Sequence, residues 1–111
     1  MEASNNQANN ANQQNRVFTI HEDPGHSWMQ VPYSLLKTLG IEKEISEYSY
    51  RKGNQAYLEE DLDRTTFLKA YFAYLKKPFI IVEIQEFWSS SVKTKYTQRC
   101  PVRNFESYYV S

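Results

Sequence analysis

Apolar residues fall into short runs separated by turn-forming residues, and their spacing alternates between that of a strand and that of a helix. Val17, Phe18 and Ile20 predict a first strand, and Trp28 to Val31 predict its return, which makes a hairpin. Between them Pro24-Gly25 supplies the turn, since proline presets φ for one position and glycine tolerates positive φ at the next. Pro32 fits the first position of a helix whose inner face carries Leu35, Leu36 and Leu39. Gly40 ends that helix, and Ile41 is placed to contact Leu36 in the closure.

Ile45 to Arg51 alternates, with Ser46, Tyr48 and Tyr50 on one side and Ile45, Glu47 and Ser49 on the other. The turn Lys52-Gly53-Asn54 leads into a partner strand over Gln55 to Glu60. Asp63 is the expected N-cap of a second helix, with Leu62 and Phe67 as its hydrophobic staple. Phe67, Leu68, Tyr71, Phe72 and Leu75 recur at helical spacing and form its buried stripe. Lys76 and Lys77 suit its C-terminus, and Pro78 stops it. Phe79 to Trp88 reads as the strongest strand, apolar on both faces through Val82 and so central in the sheet. Val92 to Arg99 adds an edge strand, and Phe105 to Val110 a short terminal one. The order β-β-α-β-β-α-β-β gives an α+β fold: a mainly antiparallel sheet of about five to six strands, with two helices on one face.

Composition adjusts this picture at the N-terminus. Nine of residues 1–15 are Asn or Gln, and none after Met1 is a large apolar residue. Such a tract cannot bury enough surface to offset its ordering entropy, so a disordered tail is expected there and one α+β domain over residues 16–111. The apolar fraction of 41% and nine tyrosines are enough for a modest core. Zero formal net charge and a pI near 6.7 provide no field that favours nucleic acid or an anionic membrane. No apolar run approaches the roughly 18 residues of a membrane span, and no secretory signal is spelled. Cys100 has no second cysteine to pair with, which fits a reducing compartment, and a cytoplasmic location is expected.

Three groups of residues could carry chemistry. The run His21-Glu22-Asp23-Pro24-Gly25-His26-Ser27-Trp28 gathers two imidazoles, two carboxylates and a tryptophan on one turn. It has the ligand types for a divalent ion, but the five-residue histidine spacing across Pro-Gly is no recognised metal motif. A structural turn, or a loop that binds a ligand or partner, is the other reading. The second group is Tyr57-Leu58-Glu59-Glu60-Asp61-Leu62-Asp63, whose acids suit a helix N-terminus. Glu59 and Glu60 point to opposite faces of a strand, so at most one can line a given cleft. A magnesium-dependent nuclease would need carboxylates converging from separate elements. The third group is aromatic: Trp28, Tyr33, Tyr48, Tyr50 and Tyr57 could share a sheet face, there to stack nucleobases or to lie half-buried beneath a helix. No glycine-rich phosphate loop, nucleophile elbow or CxxC pair is present, so no cofactor and no metal is assigned.

The segments Gly25-His26-Ser27-Trp28, Val31-Pro32, Leu39-Gly40-Ile41, Ile45-Ser46-x-Tyr48-Ser49-Tyr50 and Tyr57-Leu58-Glu59-Glu60-Asp61-x-Asp63 form a set. Together they resemble a group of small proteins encoded by phages, prophages, plasmids and their bacterial hosts. That group shares GHGWL-VP, LGI, IS-YSY and VYLEEDCD patterns, and an IR-[YF] segment that Val102-Arg103-Asn104-Phe105 would match. The resemblance spans about residues 16–110. Ser27 stands where the pattern has glycine, and Leu62 where it has cysteine, which argues against a thiol role at position 62. The group has no established activity, so the resemblance implies a setting and not a mechanism. Small proteins of mobile elements often act by blocking a host or defence protein.

The leading expectation is therefore a non-enzymatic binding protein that contacts a host or phage protein. Its surface would combine the His21, His26 and Trp28 turn with Tyr48, Tyr50 and the acids Glu59, Glu60 and Asp61. Trp28 is expected as the exposed anchor of that surface. The alternative is a small enzyme, a metal-assisted hydrolase or an acid–base site of His26 with Glu59, Glu60 or Asp61. Single-stranded nucleic-acid binding on the tyrosine face is the third and weakest reading. Self-association is also an expectation, through an apolar edge at Phe87, Trp88 and Val92.

Overall fold

A computed structural model describes residues 17–108. The expected tail over residues 1–15, the boundary at Arg16, and Tyr109 and Val110 of the expected terminal strand lie outside the described residues. The fold is α+β. Strands β1 (Thr19–Glu22) and β2 (Ser27–Pro32) precede helix α1 (Tyr33–Thr38). Strands β3 (Tyr50–Lys52) and β4 (Gln55–Glu59) precede helices α2 (Asp63–Tyr74) and α3 (Ile81–Ser90). Strand β5 (Val92–Lys95), a 3₁₀ turn (Pro101–Asn104) and strand β6 (Glu106–Ser107) complete the elements of the described residues. The six strands lie in the order β5-β1-β2-β4-β3-β6. Every pair is antiparallel except β1 with β5.

Both hairpins form where the turn residues predict them. The α1 stop also matches its punctuation. Gly40 takes φ 74°, its N–H donates to the Lys37 carbonyl, and the Ile41 N–H donates to the Leu36 carbonyl. These two bonds satisfy carbonyls that a helix end leaves open. On α2, Phe67, Leu68, Tyr71 and Phe72 are buried, as the helical spacing predicts, and Leu75 packs beside them.

One sheet face, through Ile20, Met29, Val31, Ala56 and Leu58, packs with Phe67, Leu68, Tyr71 and Phe72 of α2 in the main core. The alternate positions carry Trp28 and Tyr57 on the other face. There the C-terminal segment lies over the sheet, and Trp28, Tyr57, Cys100 and Val102 form a second buried cluster. Tyr50, Tyr96 and Phe105 pack at its margin. The strap thus covers Trp28 and Tyr57 of the expected aromatic face, while Tyr48 stays exposed.

The largest departure from expectation is at Phe79 to Trp88, which is not a central strand. Residues Ile81–Ser90 are helical, and β2 and β4 occupy the middle of the sheet. A short continuous apolar run does not separate a buried strand from a helix by period. Here Ile84, Phe87 and Trp88 reach the main core at helical spacing, while Ile80, Ile81 and Val82 remain exposed. The strand expected over Ile45 to Arg51 is likewise reduced to Tyr50–Lys52, and its earlier residues form turns. The expected edge strand and terminal strand occur at shorter length, as β5 and β6. Among the described residues, no helix is long and apolar enough to cross a membrane.

Candidate functional site

The His-rich turn is closed by its own aspartate. The Asp23 N–H donates to the His26 carbonyl at 2.9 Å. Asp23 Oδ1 accepts from the Gly25 and His26 N–H groups at 2.9 and 3.0 Å, which is the usual reason aspartate occurs in turns. The same carboxylate reaches across to the C-terminal strap. Arg103 donates through Nε to Oδ2 at 2.7 Å and through Nη2 to Oδ1 at 3.0 Å, and the Cys100 N–H donates to Oδ2 at 2.9 Å. The Asp23 side chain is only 2% exposed. The bidentate guanidinium holds its carboxyl well below the usual carboxylate range, against the opposing effect of burial. Gly25 does not take the positive φ that the turn signal implies. A Cβ at this position would come within 2.9 Å of Arg103 Nη2, so the glycine makes room for the strap.

Arg103 also lies over the Trp28 ring, 5.0 Å from its centroid, and Tyr50 meets that ring edge-on at 6.1 Å. Trp28 is therefore 3% exposed and is not the exposed anchor expected from its place beside a loop. The strap buries it, and nothing in the local sequence at Trp28 indicates that cover.

Trp28 pairs with Glu59 across the sheet, which brings the turn and the acidic junction together. Glu59, at the end of β4, accepts hydrogen bonds from the N–H groups of Asp61, Leu62 and Asp63. These donors open α2, so Glu59 caps this helix start instead of the expected Asp63. Asp63 is the first helical residue, and its carboxylate is fully buried. It accepts from the Ser46 N–H, the Ser46 hydroxyl at 2.6 Å and the Ser49 hydroxyl at 2.6 Å. This triad fixes the loop that leads to Tyr48 and Tyr50. Leu62 is exposed and staples nothing.

Glu60 follows the end of β4 in a turn. Its Oε1 accepts from the Ser27 N–H and lies 3.7 Å from His26 Nδ1. Behind it, Arg64 donates to the Ser27 hydroxyl and lies over the Trp88 ring at 5.0 Å. Burial lowers the Arg64 pKa, and the nearby carboxylates of Glu60, Glu22, Glu59 and Asp61 oppose that shift.

Between turn and junction opens a cleft of about 430 Å³. Tyr48, Tyr50 and Leu62 form its apolar walls, and His26, Glu59 and Asp61 its polar ones, above a base of Trp28 and Arg103. Tyr48 is 69% exposed, and the His26 side chain is 57% exposed. Of the residues expected at a site, His26, Trp28, Tyr48, Tyr50, Glu59 and Asp61 line this one cleft. Glu60 stands at its edge through His26. His21 does not belong to it: Nε2 donates to Gln30 Oε1 at 2.9 Å, and Nδ1 is 3.1 Å from the Tyr96 hydroxyl.

Arg103, Arg64 and Leu62 are the residues that sequence reasoning missed. Arg103 lies 80 positions from Asp23, and no local pattern marks it as a partner. Glu59 and Asp23 are held as fixed acceptors for backbone N–H groups, and releasing either as a base would undo a helix start or a turn. Asp61 and His26 remain open to solvent beside two tyrosines. Among the described residues, no three His, Cys, Asp or Glu side chains gather as metal ligands would. Comparison with family models, with curated proteins and with solved structures finds no match to this chain.

Proposed function

We propose that the protein is a non-enzymatic binding module whose cleft receives a basic segment of a partner protein. The observation that carries this reading is the composition of the cleft: exposed Tyr48 and Leu62 and half-buried Tyr50 stand beside the Glu59 and Asp61 carboxylates in about 430 Å³. Aromatic faces and carboxylates together suit a lysine or arginine side chain, whose stem packs on the rings while its charge meets the acids. Arg103 adds little repulsion because Asp23 neutralises it within bonding distance. The resemblance to small proteins of phages, prophages and plasmids supports a host or defence protein as the partner, which this binding would block.

The reading is tested with the full tagged chain in a bacterial host lysate, alongside the Tyr48→Ala/Asp61→Asn double variant. Both residues are exposed, so the variant keeps the fold. One protein should co-purify in stoichiometric amount with the wild type and be lost with the variant. Equal capture by the two would move the binding surface elsewhere on the molecule.

A further inference from the structure

Helix α3 turns Ile84, Phe87 and Trp88 to the main core. Its outer positions Ile81, Val82, Gln85 and Glu86 face solvent. Ile81 is 72% exposed, and Phe79, Ile80 and Val82 are exposed beside it. The Phe79 ring meets the buried Phe72 ring at 5.7 Å, which anchors this tip to the core. A contiguous apolar surface of this kind has a steady cost in water unless something covers it. Of the apolar edge expected at Phe87, Trp88 and Val92, the two aromatic residues pack inward and Val92 is exposed on β5; the larger run of exposed apolar residues, Phe79 to Val82, lies before them.

The charges around the patch indicate what covers it. Lys76 and Lys77 lie on its N-terminal side, and Glu86 lies beyond it on the outer face of α3, all exposed. Along the chain the patch is therefore flanked by lysines before it and by Glu86 after it, and Lys69 Nζ lies 6.0 Å from the centre of the Phe79 ring at the lysine-flanked end. A twofold axis through its middle would superpose apolar on apolar and set each charged end against its opposite. We propose that this face joins two copies of the chain, with α3 packed antiparallel on its mate around Ile81 and Val82. Lys77 of each copy then faces Glu86 of the other. Pairing through the open edge of β5 is disfavoured, because an antiparallel pair centred on Thr94 would set Lys93 of each copy against Lys95 of the other. Glu83 and Glu86 likewise work against an anionic lipid surface on this face.

Sedimentation equilibrium of the full chain over a concentration series tests the proposal. The wild type should pass from monomer to dimer, and Ile81→Lys should remain monomeric wherever the wild type is dimeric. At dilutions where both are monomers the two should melt alike, since Ile81 touches solvent. Lys77→Glu and Glu86→Lys should each weaken the dimer by at least about tenfold, and the double variant should recover it. The cleft variant Tyr48→Ala/Asp61→Asn should dimerise like the wild type, so this test stands apart from partner binding. A wild type that stays monomeric throughout overturns the proposal, as does a dimer that Ile81→Lys leaves intact. A monomer that binds phosphatidylserine vesicles through Ile81 overturns it in favour of a membrane surface.

Discussion

Asp23 ties the hairpin turn to the C-terminal strap. Its carboxylate takes two N–H donors from its own loop, one from Cys100 and two from Arg103. Asp23→Asn removes the charge and leaves Arg103 without its counter-ion. It should cost about 3 kcal/mol, near the lower end for breaking a buried pair, because Arg103 keeps some contact with water. The pH dependence follows from the direction of the shift. A carboxyl held below its usual value stabilises the fold fully above the unfolded pKa of about 3.9, and that stabilisation is lost as pH falls below it. Urea midpoints measured from pH 7 down to pH 2 should fall more steeply for the wild type than for Asp23→Asn. Trp28 and Tyr48 make a complementary pair. Trp28→Ala should cost about 3–5 kcal/mol in thermal or urea unfolding, as removal of a buried indole does, whereas Tyr48→Ala should change stability by less than about 0.5 kcal/mol. Similar values for the two would mean that the strap does not bury Trp28.

Helix ends explain much of what the sequence does and does not show at the scale of elements. The α1 stop at Gly40 and the α2 stripe are legible because glycine chemistry and helical period are local signals. The α2 start is not, because Glu59 and Asp63 are both acids near a helix N-terminus and only the register of β4 decides which one caps. Phe79 to Val82 misleads for a different reason: four consecutive apolar residues satisfy a strand and a helix N-terminus equally, and only their exposure separates the two. The turn between α2 and α3 carries local strain. Lys76 takes φ 59°, its N–H donates to the Ala73 carbonyl, and the Lys77 N–H donates to the Phe72 carbonyl. This is the position where helices favour glycine. Lys76→Gly should stabilise the protein by about 0.5–1 kcal/mol, read from the urea midpoint. A loss of stability would show that the lysine side chain contributes more than its backbone costs.

At the scale of the whole molecule, helices cover one face of the sheet, the C-terminal strap covers part of the other, and the cleft opens where the strap ends. The residue types of the site are legible in the sequence, since the turn and the acidic junction both stand out by composition. Their meeting is not, because it depends on the pairing of Trp28 with Glu59 and on Arg103, far along the chain. The same long-range closure turns Trp28 from an expected anchor into part of the base, and leaves Tyr48, His26 and Asp61 as the surface a partner would touch. The central claim is that this surface takes basic side chains. Its most direct test is an NMR titration of isotopically labelled full-length protein with a short arginine- and lysine-containing peptide, with a glutamate-substituted peptide as control. Saturable shifts are expected, confined to the amides of Gly25 to Ser27, Tyr48 to Tyr50 and Glu59 to Leu62, and none with the control. Shifts spread over the molecule, centred on α3, or equal for the two peptides would contradict it.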